Sequence, residues 1–402
     1  MEFHISGGQI FAFLSWLLAA AWLGKGIAAL RGMPSLPDLS RIDPEFLPEI
    51  LPHDDPDLTV IVPARDEEAA IESSLQSLLA STGLRLQIIA VDDRSTDRTG
   101  QLMDTITMDD VPNANPHHLE VIHITDLPQG WLGKPHAMDT AARRAAAPWI
   151  LFTDGDVVFA PRTLELALRE AASLKADHMV LLPTVILNSV GERAILSAMQ
   201  ALAMWTVRLW KVADPRARDF FGAGGFNLIR REVFQRIGGF EALRMEVIED
   251  IYLGRHVKRA GFVQRVILGP DLVKVRWIEG TFGVVRLLEK NGFAVTRFRV
   301  GLHLLLCLAF AIDAIWPLIA IACGGWTMAA GLATYVGLGL VYWAAHRTSR
   351  ITAWYALLFA PAVVIFGYGL LRSMILALLR GGIVWRGTLY TLKELRRSAR
   401  KF

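Results

Sequence analysis

Apolar residues along the chain fall into three kinds of pattern. One is continuous: Ile10 to Leu30 is uncharged except for Lys25, and about Gly301 to Leu379 is apolar over nearly its whole length, broken by His346-Arg-Thr-Ser-Arg350. Stretches this long predict membrane-spanning helices. A second pattern consists of short β-compatible runs bounded by turn residues, at Leu58 to Val62, Leu86 to Val91, Leu119 to Ile124, Trp149 to Phe152 and His178 to Thr184. The third has helical spacing, as at Ile71, Leu75, Leu78 and Leu79, and it fills the gaps between the short runs. It predicts a helix from about Thr99, an Ala-rich helix with Pro135 in its first turn, one near Thr163 to Leu174, a long apolar one from Ala194 to Val212, and one beginning near Glu249. Strands alternating with helices between Asp57 and Arg299 predict an α/β domain with a mostly parallel sheet.

These patterns divide the chain into an N-terminal transmembrane anchor at 1–35, a proline-rich acidic linker at 36–56, the α/β domain at 57–280, an interfacial helix at 281–300, a transmembrane region at 301–380 and a basic tail at 381–402. A chain of 402 residues that is 53% hydrophobic is too apolar for an ordinary soluble enzyme, which agrees with the division. No Lys or Arg precedes the first apolar run, whereas its other end carries Lys25 and Arg31, so the positive-inside rule puts the middle domain in the cytoplasm. The expectation is a multi-pass protein of the cell inner membrane. Three crossings at Gly301 to Gly324, Trp326 to Ala345 and Thr352 to Leu379 would leave the basic tail outside, against the same rule. Either one segment is re-entrant or interfacial, or the last divides at Arg372.

Charge narrows the partners. The net charge is only +3, with the basic excess gathered from Lys393 to Lys401, which suits anionic lipid heads and not nucleic acid. Both cysteines, Cys307 and Cys323, lie in apolar sequence, so neither a disulfide framework nor a thiolate zinc site is available. The helix carrying Ile195 to Trp205, followed by Trp210 and Lys211, suits either a membrane interface or a buried core.

Candidate chemistry begins where the run Trp149 to Phe152 ends, at Thr153-Asp154-Gly155-Asp156. Two carboxylates on one tight turn repel each other unless a cation, hydrogen-bond donors or water relieve them, so Asp154 and Asp156 are either metal ligands or a solvated turn. Glu249-Asp250 at a helix start either serves the helix dipole or carries chemistry. No Gly-x-Gly-x-x-Gly follows the first strand, which removes the best support for dinucleotide binding.

Taken in order, Pro63-Ala-Arg65-Asp66-Glu67, Val91-Asp92-Asp93-x-Ser95-x-Asp97, Gly133-Lys134, Asp154-Gly-Asp156, Gly224-Gly225-x-Asn227 and Glu249-Asp250 resemble the family-2 inverting glycosyltransferases of GT-A fold. Lys290-Asn-Gly-Phe293-Ala-Val-Thr-Arg297-Phe and Val384-Trp385-Arg386-Gly387-Thr-Leu-Tyr390 are most like the bacterial hopene-associated glycosyltransferases, relatives of ceramide- and carotenoid-glycosylating enzymes. The resemblance implies a GT-A domain, Rossmann-like with a mostly parallel sheet, flanked by transmembrane helices. It implies transfer of a sugar from a nucleotide-sugar donor, expected to be UDP-linked, to a membrane lipid acceptor, a hopanoid-related one among the candidates.

By the same resemblance Asp250, with Glu249, is the catalytic base, and Asp154 and Asp156 hold Mg²⁺ or Mn²⁺. Pro63, Arg65, Asp66, Glu67, Asp92, Asp93, Lys134, Asp154, Gly225 and Asn227 line the nucleotide sugar, and Arg297 meets a phosphate or a lipid head. The Trp that processive relatives carry after that arginine is missing, so a single transfer is expected. Two other readings compete: a nucleotidyltransferase, which would carry a basic Gly-rich loop where Pro63 to Glu68 is acidic, and a transporter or scaffold, which would need more ionisable residues in its spans than Asp313.

Overall fold

The computed structural model describes residues 6–49, 55–109 and 116–399. It resolves into two compact units, each assembled from three chain segments: Met1–Ser35, Leu187–Trp210 and Ile278–Trp385 in a helical unit, and Leu36–Ile186, Lys211–Trp277 and Arg386–Phe402 in an α/β unit.

The α/β unit is built on β1 (Leu58–Ala64), β2 (Leu86–Asp93), β3 (His118–Ile124) and β4 (Trp149–Phe152). Short β5 (Val157–Phe159) follows, then β6 (His178–Leu182), β7 (Thr184–Val185), β8 (Asn227–Arg230), β9 (Gln264–Leu268) and β10 (Val273–Val275). The main sheet has the order β3-β2-β1-β4-β8-β6-β9, and β5-β10-β7 form a second, small sheet. All main-sheet pairings are parallel except those that β8 makes with β4 and β6.

Both faces of the sheet are covered, and the two-residue side-chain period shows it. Val60, Val62, Ile88 and Ala90 enter one core cluster, while Ile61, Ile89 and Val91 enter another on the opposite face. The helix Ile71–Leu79 buries Ile71, Ser74, Leu75 and Leu78, the spacing of a single helical stripe. The chain runs outward through β1, β2 and β3 and then returns to lay β4 against the other side of β1. That reversal opens a crevice beyond the carboxyl ends of β1 and β4, where the Pro63 and Asp154 turns begin.

Three readings of the chain are adjusted by the structure. The run His178 to Thr184 is two strands, because Pro183 cannot donate to a ladder and breaks it. The helix read from Ala194 to Val212 runs over Val190–Ala203, opened by a Ser189/Glu192 capping box; Trp205-Thr206-Val207, poor helix formers, follow its end. The stretch read as a linker is tied into the α/β unit in its described part: Asp38 bridges Leu268, and the Arg169 guanidinium donates to the carbonyls of Pro44, Leu47 and Pro48.

Four helices of the helical unit are long and apolar enough to cross a membrane: Gly7–Ser35, Val300–Ala322, Gly325–His346 and Ala353–Leu379. Their side chains set the directions. Trp16 lies beside Trp326, and Gly26 sits against Leu340, so the first and third helices run parallel. The Phe11 and Trp316 rings meet at a tilt with centroids 4.8 Å apart, and the Trp22 indole donates to Asp313 at 3.4 Å, which brings the second helix against the first. Phe310 meets Phe366, and the His303 imidazole donates to the Leu370 carbonyl at 3.0 Å, so the last helix is antiparallel to the second. Arg372 does not divide that helix, which is continuous over Phe359–Leu379. Its guanidinium pairs with Glu289 at 2.6 Å.

Candidate active site

The turn after β4 is held from beneath. The Thr153 amide donates to the Ile61 carbonyl at 3.1 Å, and its hydroxyl donates to the Gly225 carbonyl at 2.9 Å. This fastens the Asp154 turn to β1 on one side and to the Gly-rich run on the other. Gly225 therefore contributes a backbone strut. Two other glycines of the run are there for clearance: a Cβ on Gly222 would lie 1.9 Å from the Asp250 carbonyl oxygen, and one on Gly224 would lie 2.4 Å from the Asp154 carboxylate. Only a bare backbone lets the run pass between the two acids.

One ammonium joins the acids. Lys134 Nζ lies 2.6 Å from Asp154 Oδ1 and 2.7 Å from Glu249 Oε1, so turn and helix start meet on a single lysine. Lys134 stands in the first turn of the helix Gly133–Ala142, and Glu249 and Asp250 open the helix Glu249–Arg259. Lys134, Thr153, Gly224, Asn227, Glu249 and Asp250, with apolar Met138, Phe152 and Phe240, line a small hollow with room for about one water. Charged groups from two helices converge on its apolar floor.

The electrostatics follow from that crowding. Burial opposes the charge on Lys134, but the carboxylates of Asp154, Glu249 and Asp250 outweigh it and hold the ammonium above the usual lysine range. Burial pushes Asp250 up to about 6, with Glu249 adding repulsion and Lys134 pulling down. Asp156 rises to about 7, through burial first and then the charges of Asp154 and Glu67. Carboxylates this perturbed mark a place that lacks positive charge.

The acids after β1 and β2 are arranged otherwise. Asp66, at φ 54°, accepts from the Thr96 amide at 2.7 Å, and its own amide donates to Ser95 Oγ. Asp92 accepts from the Ser95 amide at 3.1 Å and lies 3.1 Å from His123 Nδ1, whose Nε2 reaches Asp104. Asp93 takes two hydrogen bonds from Arg94, at 2.8 and 3.2 Å. Glu67 is paired with Arg386, and burial raises its carboxyl while that arginine lowers it. Pro63 lies within β1, opposite Val91 of β2. The Arg65 side chain is mostly buried, and its Nε has no hydrogen-bond partner among the described residues.

Asn227 is buried at the start of β8, and its Oδ1 lies 3.0 Å from His178 Nε2. Burial depresses His178 to about 4, so the imidazole is neutral, giving Nε2–H to Asn227 and accepting the Gln264 amide at Nδ1, 2.8 Å away. Gln264 in turn donates to the Phe221 carbonyl at 2.9 Å. His178 and Gln264 thus brace both ends of the Gly-rich run, as His123 braces Asp92. Sequence reading passed over all three, because their partners lie 19 to 86 residues away. Arg297 belongs to the helical unit, at φ 53° after a short turn, and stands apart from these residues in the chain's division.

The residues present suit a divalent cation. Asp154 and Asp156 offer only oxygen donors, and the Asp156 carboxyl, raised by burial and then by the charges of Asp154 and Glu67, would be relieved by a cation. Among the described residues no three potential ligands gather at one point, so protein carboxylates would supply a minority of an octahedral shell.

Compared with known proteins, residues 59–238 match the family model described as glycosyl transferase family 2. The 4,4'-diaponeurosporenoate glycosyltransferase of Staphylococcus aureus strain USA300 is 26% identical over 202 residues, 49% of this chain and 50% of that one. The protein of the same name from strain MRSA252 is 27% identical over the same length. The chain thus aligns with about half the length of these curated relatives. Among solved structures it is similar to mannosyltransferase PcManGT from Pyrobaculum calidifontis in complex with GDP-Man and Mn²⁺, with 20% identity and a TM-score of 0.53 over 90% of this chain and 99% of that one. The α/β unit thus has the GT-A type of fold.

Proposed function

Since residues 59–238 are a glycosyl transferase family 2 domain, we propose that the chain moves a sugar from a nucleotide-sugar donor onto the hydroxyl of a membrane lipid, by one inverting displacement. The observation that carries this is the Lys134 bridge between Asp154 and Glu249, one residue from Asp250. It puts groups suited to a departing diphosphate and a group suited to an attacking alcohol in one cleft.

Asp250 acts as the base. Its carboxyl, raised to about 6, is ionised at neutral pH yet basic enough to draw the proton from a hydroxyl as that oxygen attacks the anomeric carbon. Attack from the face opposite the leaving group inverts the centre and needs no covalent sugar–enzyme intermediate. Lys134 offers its ammonium to the diphosphate as negative charge builds there. Asp154 and Asp156 would hold Mg²⁺ or Mn²⁺, which supplies further charge stabilisation to the leaving group. PcManGT, whose structure was solved with GDP-Man and Mn²⁺, lends this reading support, as does the 4,4'-diaponeurosporenoate glycosyltransferase activity named for the S. aureus relatives. Four helices fit to cross a membrane agree with an acceptor drawn from the bilayer. A UDP-linked donor, a hopanoid-related acceptor and an inner-membrane location with the α/β unit in the cytoplasm remain the preferred specific forms. The family domain favours transfer over the nucleotidyltransferase and transporter readings.

The test is to incubate the purified chain with labelled UDP- and GDP-sugars and total bacterial membrane lipid. A labelled glycolipid formed by the native protein and absent with Asp250→Asn is expected. Formation of a nucleotide sugar from sugar phosphate and nucleoside triphosphate, with no glycolipid, would sink the reading.

A further inference from the structure

The motif Val384 to Tyr390 lies far outside residues 59–238, yet its second half joins the α/β unit, which takes back the chain at Arg386. There the Arg386 guanidinium donates to the Arg65 carbonyl and to the Glu67 carboxylate. Four residues on, Tyr390 is buried, and its hydroxyl accepts from the Gly133 amide at 3.3 Å and bonds to Arg94. The segment therefore touches both donor-side turns and the start of the helix that carries Lys134.

We propose that Arg386 is a donor-binding residue that meets the diphosphate of the nucleotide sugar, with Tyr390 as a positioning residue that fixes Gly133 and Arg94 around it. This rests on the donor reading above. Three observations carry it. First, Arg386 pairs with Glu67 and with the Arg65 carbonyl, and the charge of Glu67 is felt by both Asp154 and Asp156, so the arginine is fastened to the turn that faces the aspartates suited to a diphosphate-bound cation. Second, the Arg65 Nε–H is buried, has no hydrogen-bond partner among the described residues and lies 3.8 Å from the nearer Asp66 oxygen, so it is a second guanidinium donor at the same turn, next to the carbonyl that Arg386 holds. Two forked cations at one turn suit a ligand with several anionic oxygens better than the single Glu67 carboxylate.

Third, the arginine sits at the first position of a tight left-handed turn. Arg386 has φ 48° and Gly387 φ 77°, two successive residues in the left-handed region. Asparagine, aspartate or glycine is the usual residue at the first of these positions, and an arginine there is strained. A diphosphate spreads more charge over more oxygens than Glu67 does, so it competes effectively for the guanidinium and takes it over.

The experiment measures equilibrium binding of UDP, uridine, GDP and guanosine to the full chain in detergent with Mg²⁺, for the native protein, Arg386→Gln and Arg386→Lys. Nucleoside diphosphate binding is expected to weaken about tenfold or more in Arg386→Gln and less in Arg386→Lys, which keeps the charge but loses the fork, while nucleoside binding stays within about twofold. Unchanged diphosphate affinity in the variants overturns the inference, and so does an equal loss for nucleoside and diphosphate, which would mean that the turn had merely collapsed. Should Arg386→Gln fail to fold, Arg386→Lys decides alone. If the native chain binds no nucleoside diphosphate, the donor reading itself falls and this assignment falls with it.

Discussion

At the carboxyl edge of one sheet, two groups of carboxylates of the same chemical type are put to different uses. Asp66 and Asp92, after β1 and β2, have their oxygens taken up by backbone amides, hydroxyls and His123, and so tie two turns together. Across the crevice Asp154 and Glu249 share one lysine, while burial first and neighbouring acids second raise the carboxyls of Asp156 and Asp250. The difference is one of hydrogen-bond supply. A carboxylate met by several amides is scaffold, whereas carboxylates that share one cation keep a demand that substrate, metal or proton can meet.

The contrast can be broken by substitution. Asp250→Asn, on the demanding side, should lower kcat by about 10²–10⁴-fold while nucleoside diphosphate affinity stays within about twofold; steady-state rates and equilibrium binding check both halves. Lys134→Met should cost about 10²–10³-fold in rate. It should also move the acid limb of the pH profile upward, because the ammonium that draws Asp250 down is gone. In the native protein kcat/KM should fall about tenfold per unit as pH drops below about 6, as Asp250 takes up its proton. A profile flat down to pH 5 would contradict the base assignment.

Two smaller effects sharpen the scaffold side. Folded His178 stays neutral to about pH 4, whereas in the unfolded chain it titrates near 6.5. The unfolded state therefore binds the extra proton in that window. Stability is intact above pH 6.5 and declines as pH falls toward 4, by at most about 3 kcal/mol. Thermal melts across this range should show the decline, and His178→Gln should flatten it. Asp92→Asn should cost about 2 kcal/mol of stability, from its bonds to Ser95 and His123, while changing kcat less than about tenfold. A collapse of kcat as deep as that of Asp250→Asn would erase the distinction.

What could be read from the chain was what depends on near neighbours. The strands at Leu58 and Leu86 and the helix with Ile71 and Leu75 follow from spacing alone. So does the placing of Asp154 at a strand end. Pro183 was visible inside His178 to Thr184, but a run of apolar residues outvoted it. What stayed hidden depends on pairs far apart in the chain. Nothing near Asp92 announces His123, and nothing near Gly133 announces Tyr390, 257 residues away. Lys134 stood out through its motif, and its bridging of two acids needed the folded sheet.

The helix Phe359–Leu379 carries a consequence for how the polypeptide is threaded. The chain leaves the α/β unit after Trp277 and re-enters it at Arg386, so whatever bilayer passages lie between must come in an even number. Three apolar helices occupy that excursion. Leu370 sits level with His303, in the opening turn of the first of them, which leaves too little of the last helix above that depth to traverse about 30 Å of hydrocarbon. The last helix is then expected to dip in and withdraw on the face it came from, which would leave the chain from Arg386 onward on the same side as Asp154 and Asp250. A fluorescent protein fused after Phe402 should glow in the cytoplasm of living bacteria, and an alkaline phosphatase fused there should stay inactive; the reverse pair of results would undo this threading.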